Sequence, residues 1–389
     1  MKDNYRKEMP QTRSAISMRV RDLSPSGIRR FFDIVTHMED VVSLGVGEPD
    51  FVTPWPIRQA AIESIEKGFT MYTSNFGLIE LREGIGKYLN ERYGLHYDPS
   101  TQIMITTGVS QGLDLAMRAI LDPGDEVLIP EPTYVSYVPC VSLAGGIPVT
   151  IPTNMEDSFR IKPADIEARI TDRTKAILLG YPNNPTGAVM PRDTMEQIAD
   201  LAFRHDLTVV SDEIYERLVY GVPHVCFASL PNMENRSIHL GGFSKSYAMT
   251  GWRVGYACAN TDIIEAMMKV HQYTLMCAPT QGQMAAIEAL RSGDSSVEEM
   301  REQYNRRRHL MVNGLNELGL TCPEPQGAFY TFPSIKSCNM TSLEFAEALL
   351  TKERVALVPG SAFGPSGEGH VRCCYAVSVE EIEEALERI

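Results

Sequence analysis

The sequence predicts an α/β fold in which helices cover both faces of a mostly parallel β-sheet. Between about residues 56 and 300, helical segments alternate with short apolar segments that indicate strands. The apolar segments are QIMITT, EVLIP, IPVTIP, KAILLGYP, LTVVSDE, SIHLGGFS and RVGYACA. They are apolar on successive residues, which is typical of parallel strands buried on both faces. Because such sheets bind ligands at the carboxyl ends of their strands, we expect the functional residues there.

The length of the chain indicates a second, smaller domain. At 389 residues the chain exceeds what one hydrophobic core usually supports. After about residue 284 a long charged helical segment is followed by short strands around GAFYTFP and HVRCCYAV. We expect a large domain over residues 46–290, and a smaller α+β domain formed by residues 1–45 together with 291–389. Within the N-terminal arm, residues 24–38 are predicted to form a capped helix, followed by a short strand in VVSLGVGEPDF.

Composition excludes several classes of protein. A formal net charge of -14 argues against binding to nucleic acid or anionic lipid, both of which require clustered basic residues. The eight cysteines show no CxxC spacing, so we expect no metal site and reduced thiols. The first residues contain no apolar signal segment, and no run of apolar residues is long enough to span a membrane. A cytoplasmic location is expected.

Lys245 is the first candidate for the chemistry of this chain. The segment GGFSKSYAMTGWRVGY (residues 241–256) places Ser244, Lys245 and Arg253 in a loop between two predicted strands. A lysine amine becomes a useful nucleophile when burial or a neighbouring cation lowers its pKa towards neutrality. Arg253 is a candidate for that cation. We therefore predict a buried, reactive lysine.

Two further motifs follow predicted strands. YPNNPTG (residues 181–187) follows KAILLG, and its Asn184 either directs an amide into the pocket or belongs to a simple turn. VVSDEIY places Asp212 at a strand end with Tyr215 three residues later. The Asp212 carboxylate either stabilises a protonated heterocyclic nitrogen or caps a helix.

The segment TTGVSQGLDLAMRAI (residues 106–120) is predicted to form a strand, a glycine turn and a helix. The backbone amides at the start of that helix can hold a phosphate. The segment also matches the GxSxG pattern of α/β-hydrolases around Ser110, for which Asp212 and His370 could complete a triad. That alternative lacks an oxyanion loop of the HGGG type and leaves Lys245 without a role.

Arg372 lies inside the apolar segment HVRCCYAV. A guanidinium in such surroundings favours a bidentate carboxylate partner. That carboxylate belongs either to a ligand or to an acid of the protein.

These motifs, in this order, resemble those of the fold-type I, class I/II aminotransferases, the family of aspartate and aromatic aminotransferases. The resemblance covers nearly the whole chain and implies a pyridoxal 5'-phosphate cofactor. It implies that Lys245 forms the Schiff base with the cofactor and moves the proton during catalysis. It also implies that Asp212 keeps the pyridine nitrogen protonated, while Asn184 and Tyr215 contact the phenolic oxygen. Asn184 would also lie near the carboxylate of the substrate.

The resemblance assigns the remaining site residues as well. The groups expected to hold the phosphate are Ser244, Arg253, the backbone of Val109 and Ser110, and Tyr72 from the neighbouring subunit. Tyr134 would stack on the pyridine ring. Arg372 and Gly47 would hold the carboxylate of the substrate, and Ile28 would line its side-chain pocket. A homodimer with shared active sites is implied.

The expected activity is transfer of the α-amino group of an amino acid to a 2-oxo acid such as 2-oxoglutarate. The donor would be aromatic, aspartate or one of a broad range. Residues 271–283 (HQYTLMCAPTQGQ) contain no arginine or lysine for a second substrate carboxylate, which favours apolar side chains. Cys373 and Cys374 stand where relatives often carry an aliphatic residue and a serine.

Two alternatives from other classes remain. A pyridoxal-phosphate-dependent β-lyase or decarboxylase would share the cofactor site. A regulatory protein with this fold would need a DNA-binding module ahead of it, for which the short N-terminal arm leaves no room.

Overall fold

A computed structural model of the chain describes residues 15–21, 23 and 38–389. Helix 24–38 and Ile28, both singled out from the sequence, lie outside the described residues except at residue 38. The described strands are β1 (Val42–Ser43), β2 (Ile103–Thr106), β3 (Glu126–Glu131), β4 (Ile147–Pro152), β5 (Thr174–Gly180), β6 (Thr208–Asp212), β7 (Ser237–Gly242), β8 (Gly255–Cys258), β9 (Tyr330–Thr331), β10 (Val355–Ala356), β11 (Val358–Pro359) and β12 (Val371–Cys374).

Helices separate most of these strands. The described α-helices are α1 (Met18–Arg21), α2 (Trp55–Glu66), α3 (Ile79–Tyr93), α4 (Gly108–Ile120), α5 (Tyr137–Ala144), α6 (Pro163–Glu167), α7 (Arg192–Arg204), α8 (Thr261–Thr274), α9 (Thr280–Ser292), α10 (Asp294–Glu317), α11 (Ser342–Glu353) and α12 (Val379–Arg388). None of the helices in the described part of the chain combines the length and apolar character needed to cross a membrane.

A seven-stranded sheet forms the centre of the molecule, with the strand order β2-β8-β7-β6-β5-β3-β4. Pairing is parallel except at β8, which runs antiparallel to both β2 and β7. Each of the seven apolar segments overlaps one of these strands. The predicted fold, a mostly parallel seven-stranded sheet between helices, is therefore confirmed.

Both faces of the sheet are buried, which explains why its strands lack an alternating pattern. Along β5, Leu178 packs into the apolar cluster that contains residues of α4 and α8. Its neighbours Ile177 and Leu179 point the other way, into the cluster that contains residues of α7. Successive side chains of a strand alternate between faces, so an apolar core on each side requires an uninterrupted apolar run.

The C-terminal part forms smaller sheets with the N-terminal segment. β12 pairs antiparallel with β11 and β9, while β1 pairs in parallel with β10 through Val42 and Val355. Thr341 and Ser378 begin α11 and α12 with capping boxes, which satisfy backbone amides at the helix start. Residues 42 and 43 thus pair with the C-terminal part. The exact domain boundaries stay a prediction.

Candidate active site

A cavity of about 580 Å³ lies at the carboxyl ends of the parallel strands, between the central sheet and the C-terminal part. The predicted site residues that line it are Gly47, Val109, Ser110, Tyr134, Asn184, Asp212, Tyr215, Ser244, Lys245, Arg253 and Arg372. Tyr72 lies outside this cavity, and 78% of its surface is exposed. The fold brings together residues that are separated by more than 300 positions in the sequence.

Lys245 lies in the turn that follows β7, and its amine points into the cavity. Its Nζ donates a hydrogen bond to the carbonyl oxygen of Gly47 at 2.6 Å. The same atom lies 5.7 Å from the ring centre of Phe329. Burial lowers the pKa of Lys245 to about 8, with Arg372 and Arg253 acting in the same direction. The amine therefore exchanges between its charged and neutral forms near neutral pH.

Asp212 ends β6 and is 6% exposed. Its Oδ1 accepts a hydrogen bond from the backbone N–H of Ile214 at 3.2 Å, and its Oδ2 accepts one from the hydroxyl of Tyr137 at 2.9 Å. Burial raises the pKa of Asp212 to about 6, although these two donors favour the charged form. The carboxylate follows the strand into a turn rather than capping a helix.

The neighbouring carboxylate, Glu213, has a structural role on the other side of the strand. It accepts hydrogen bonds from the Ser211 hydroxyl at 2.9 Å, from Phe227 N at 3.0 Å and from His224 Nε2 at 2.6 Å. Burial raises its pKa, but His239 and His224 outweigh that effect and hold the pKa below its ordinary value. Glu213 therefore fixes the chain at residues 224–227 to the end of β6.

The start of α4 and the guanidinium of Arg253 form a cradle for an anion. Gly108 has φ +73°, and a Cβ added there would lie 2.6 Å from Arg253 Nη2. A Cβ added at Gly255 would lie 2.7 Å from Val109 N. Within the described part of the chain, the side chain of Thr107, which precedes α4, makes no capping hydrogen bond. The amides of the first helical turn thus lie open beside a cation, as a phosphate requires.

Arg372 lies in β12 and is 3% exposed. Its Nη1 donates to Asn184 Oδ1 at 2.9 Å and its Nη2 to the carbonyl of Gly45 at 2.6 Å. Both acceptors are uncharged, and the buried Nε has no partner among the described residues. The guanidinium stacks on the ring of Tyr330, with Cζ 4.4 Å from the ring centre. A buried guanidinium whose described partners are neutral still needs a negative charge nearby. The carboxylate of a bound ligand would supply that charge.

Sequence reasoning missed two tyrosines of this cavity, Tyr137 and Tyr330. The Tyr330 hydroxyl lies 2.8 Å from that of Tyr215. Tyr137 begins α5 and follows Tyr134 by three residues, a spacing that could have placed both on one side of the chain. Tyr330 belongs to an apolar strand with no distinguishing motif, and only the fold brings it to the site.

The hydrolase alternative has no support in the geometry. The ring of His370 stacks on Phe332, with centres 5.2 Å apart, and meets Phe159 edge-on. Within the part of the chain that the structure describes, no histidine lines the cavity that contains Ser110. The GxSxG pattern therefore reflects the glycine turn before α4.

Fold and site together define a protein of the α/β class whose cavity contains a lysine amine beside a cradle for an anion. A family model described as aminotransferase class I and II matches residues 39–389. The chain belongs to this family and is an enzyme of the transaminase type.

Similar proteins span nearly the full chain. The chain is 53% identical to the putative aminotransferase YugH of Bacillus subtilis, with 97% of each chain covered. It is 48% identical to an aspartate aminotransferase of Pyrococcus abyssi, over 96% of this chain and 97% of the relative. The solved structure of an aromatic aminotransferase from Pyrococcus horikoshii matches with a TM-score of 0.88 and 47% identity, over 93% of this chain and 97% of that one. These similarities favour transamination over the β-lyase alternative.

Proposed function

We propose that this aminotransferase uses pyridoxal 5'-phosphate to move the α-amino group of an amino acid to a 2-oxo acid such as 2-oxoglutarate. The observation that carries the proposal is the placement of the Lys245 amine, the Asp212 carboxylate and the Arg372 guanidinium around one cavity. The donor is an aromatic amino acid, aspartate or one of a broad range. Relatives named as aspartate and aromatic aminotransferases support this range.

The residues of the cavity fit the cofactor. The phosphate would lie between Arg253, Ser244 and the open amides at Val109 and Ser110. The ring would lie against Tyr134, with Asp212 at its nitrogen and with Asn184 and Tyr215 at its phenolic oxygen. When bound, pyridoxal phosphate supplies an electron sink for the electron pair of the bond that breaks at the α-carbon of the substrate.

Lys245 attaches the cofactor and later moves a proton. A pKa of about 8 lets the amine accept and release a proton near neutral pH. The carbonyl of Gly47, 2.6 Å from Nζ, gives the amine a defined position within the cavity. Asp212 remains charged above pH 6 and so stabilises a protonated ring nitrogen. Asp212 thus supplies a negative charge beside the ring nitrogen, and Lys245 supplies an amine that can gain and lose a proton.

Arg372 orients the substrate. Its two terminal nitrogens can exchange their contacts with Asn184 and Gly45 for the two oxygens of a carboxylate. Among the described residues, the cations that line the cavity are Lys245, Arg253 and Arg372, and each already has a proposed partner. No described cation is left for a second substrate carboxylate, which favours an apolar or aromatic side chain.

The active enzyme is proposed to be a homodimer. Tyr72 and Met71 are 78% and 76% exposed. Thr280 and Gln281 hold this segment against the start of α9 by hydrogen bonds to the carbonyls of Met71 and Phe69, each at 2.8 Å. Large apolar side chains exposed around a fixed segment favour an interface. In a dimer, Tyr72 would reach the phosphate of the neighbouring subunit.

A half-reaction tests the proposed function. The cofactor-loaded protein is mixed with one amino acid at a time, without a 2-oxo acid, and the cofactor absorbance is followed. We expect conversion to the pyridoxamine form and release of about one equivalent of the matching 2-oxo acid for each site. Continuous release of pyruvate and ammonia from a β-substituted amino acid, without pyridoxamine, would overturn the proposal in favour of a lyase.

A further inference from the structure

We propose that Tyr330 is a positioning residue that donates a hydrogen bond to Tyr215 and thereby strengthens the contact of Tyr215 with the phenolic oxygen of the cofactor. This inference rests on the proposed function. It concerns a residue that carries no sequence motif and reaches the site from the C-terminal part of the chain, through β9.

The two hydroxyl groups form a buried pair. The oxygens of Tyr215 and Tyr330 lie 2.8 Å apart, and the side chains are 5% and 1% exposed. Their rings meet at 79° with centres 5.9 Å apart. A Cβ added at Gly47 would collide with the Tyr330 hydroxyl, so a side chain at that position would displace it. The glycine preserves the space that this hydroxyl occupies.

The direction of the hydrogen bond follows from counting protons. Each hydroxyl carries one proton, and in the described part of the chain each has only the other as its hydrogen-bond partner. If Tyr215 donates its proton to the cofactor, it has no proton left to donate to Tyr330. The bond at 2.8 Å then requires Tyr330 to be the donor. Burial raises the pKa of both phenols far enough to keep them protonated.

A hydrogen bond donated to the Tyr215 hydroxyl changes how strongly that hydroxyl donates to the cofactor. Hydrogen bonds in a chain polarise one another, so a Tyr215 oxygen that accepts a bond becomes a stronger donor. A stronger donor stabilises negative charge on the phenolic oxygen of the cofactor. That oxygen then attracts the proton on the nitrogen that joins Lys245 to the cofactor less strongly. The hydroxyl of Tyr330 should therefore lower the pKa of this nitrogen.

The ring of Tyr330 has a separate role that the test can isolate. Arg372 stacks on it with Cζ 4.4 Å from the ring centre. A Tyr330→Phe variant keeps this ring and removes only the hydroxyl. Binding of the substrate carboxylate should then be preserved, so the KM for the amino acid is expected to change by less than about threefold.

A double-mutant cycle on the cofactor-loaded protein tests the inference. The absorbance of the bound cofactor is titrated with pH in the wild type, Tyr330→Phe, Tyr215→Phe and the double variant. We expect Tyr330→Phe to raise the pKa of the absorbance change by a few tenths of a unit, and Tyr215→Phe to raise it further. Because Tyr330 acts through Tyr215, the double variant should match Tyr215→Phe alone.

The control is Tyr375→Phe, which removes another buried hydroxyl, one that donates to the carbonyl of Ala328 at 3.1 Å. Tyr375 does not line the cavity, so its variant should titrate like the wild type. Replacement of Tyr330 by 3-fluorotyrosine makes the hydroxyl a stronger donor and should shift the pKa in the opposite direction. This second variant retains the hydroxyl should Tyr330→Phe fail to fold.

Two results would overturn the inference while leaving the proposed function intact. One is a Tyr330→Phe titration identical to that of the wild type. The other is a double variant whose shift equals the sum of the two single shifts. If the wild-type protein develops no cofactor absorbance that depends on Lys245, the proposed function fails and the inference falls with it.

Discussion

At the scale of residues, burial moves two pKa values towards neutrality from opposite sides. Lys245 falls to about 8 and Asp212 rises to about 6. Both shifts have the same cause, since a buried site disfavours the charged form of any group. A lysine with a pKa of about 8 can transfer protons near neutral pH, and a carboxylate with a pKa of about 6 is charged there.

The pKa of Asp212 predicts how cofactor affinity depends on pH. Above pH 6 the carboxylate is charged in the free protein and can pair at once with the protonated ring nitrogen. Below pH 6 the free protein must first lose a proton, because pairing depresses the pKa in the complex. Affinity should therefore fall by up to about tenfold for each pH unit below 6. Titration of the cofactor-free protein with pyridoxal phosphate at several pH values measures this.

The control for that prediction is Asp212→Asn. This variant lacks the carboxylate, so we expect it to bind the cofactor more weakly at every pH. Titration of the cofactor's own phosphate affects both proteins equally, so only the difference between their pH profiles reports on Asp212. If the cofactor affinity of wild type and variant changed with pH in the same way, the Asp212 carboxylate would be excluded as the cause of the pH dependence.

The sequence predicted most residues of the site, and several of them lie in short motifs at the carboxyl ends of strands. Asn184, Asp212 and Lys245 were predictable for that reason, although their roles stay predictions. Tyr137 and Tyr330 were not found, because a tyrosine in an apolar segment has the same local pattern whether it packs in a core or lines a cavity. The sequence named Arg253 as a candidate for the cation that lowers the pKa of Lys245, and Arg253 does act in that direction. Arg372, which comes from the distant β12, has a larger effect on that pKa.

At the scale of elements, the anion cradle depends on the close approach of two segments, the start of α4 and the loop before β8. Glycines at the contact leave room for this approach. α4 begins at Gly108, and the loop before β8 carries Arg253. Gly108 needs its φ of +73° for the turn and its missing Cβ for the approach of the guanidinium. The sequence pattern predicted the glycine turn, whereas Arg253 was assigned to the same phosphate only through the family resemblance.

A Gly108→Ala variant separates these two requirements. The new Cβ would lie 2.6 Å from Arg253 Nη2, so the guanidinium must move away from the start of α4. We expect the affinity for pyridoxal phosphate to fall by about tenfold or more, since a charge-assisted contact is weakened. Equilibrium titration with the cofactor measures the loss, and thermal unfolding measures the accompanying change in stability.

Gly124→Ala is the matched control. Gly124 has φ +96°, and a Cβ there would meet nothing within 4 Å. Both variants should lose about 1 kcal/mol of stability from the left-handed backbone, but only Gly108→Ala should bind the cofactor more weakly. Equal cofactor affinities in the two variants would show that cofactor binding does not require the close contact between Arg253 and Gly108.

At the scale of the whole molecule, the site lies where the central sheet meets the C-terminal part. The end of β6 supplies Asp212, the turn after β7 supplies Lys245, and the C-terminal part supplies Arg372 and Tyr330. Alternation of helices and apolar strands was enough to predict the sheet and its seven members. The order of the strands and the antiparallel β8 were not predictable, because they depend on long-range pairing rather than on local pattern.

If the active sites are shared in a dimer, two inactive variants should form mixed dimers that have activity. Lys245→Ala removes the amine of its own site, whereas Tyr72→Ala damages the site of the neighbouring subunit. A random mixture should recover about a quarter of the wild-type activity, since half of the dimers are mixed and each has one intact site. Refolding the two variants together and assaying transamination checks this.

The two variants refolded separately and mixed afterwards, without subunit exchange, provide the control. They should show only the average of their individual activities. The same low value after joint refolding would mean that Tyr72 acts within its own subunit or not at all.

The central claim is that Lys245 carries the cofactor, and a chemical trap tests it most directly. The cofactor-loaded protein is reduced with borohydride, digested and mapped by mass spectrometry. We expect the reduced cofactor on Lys245 and no stable attachment in Lys245→Ala, which should also lose at least about a thousandfold in turnover. Attachment to another lysine instead, for example the exposed Lys269 on α8, or full turnover in Lys245→Ala, would contradict the claim.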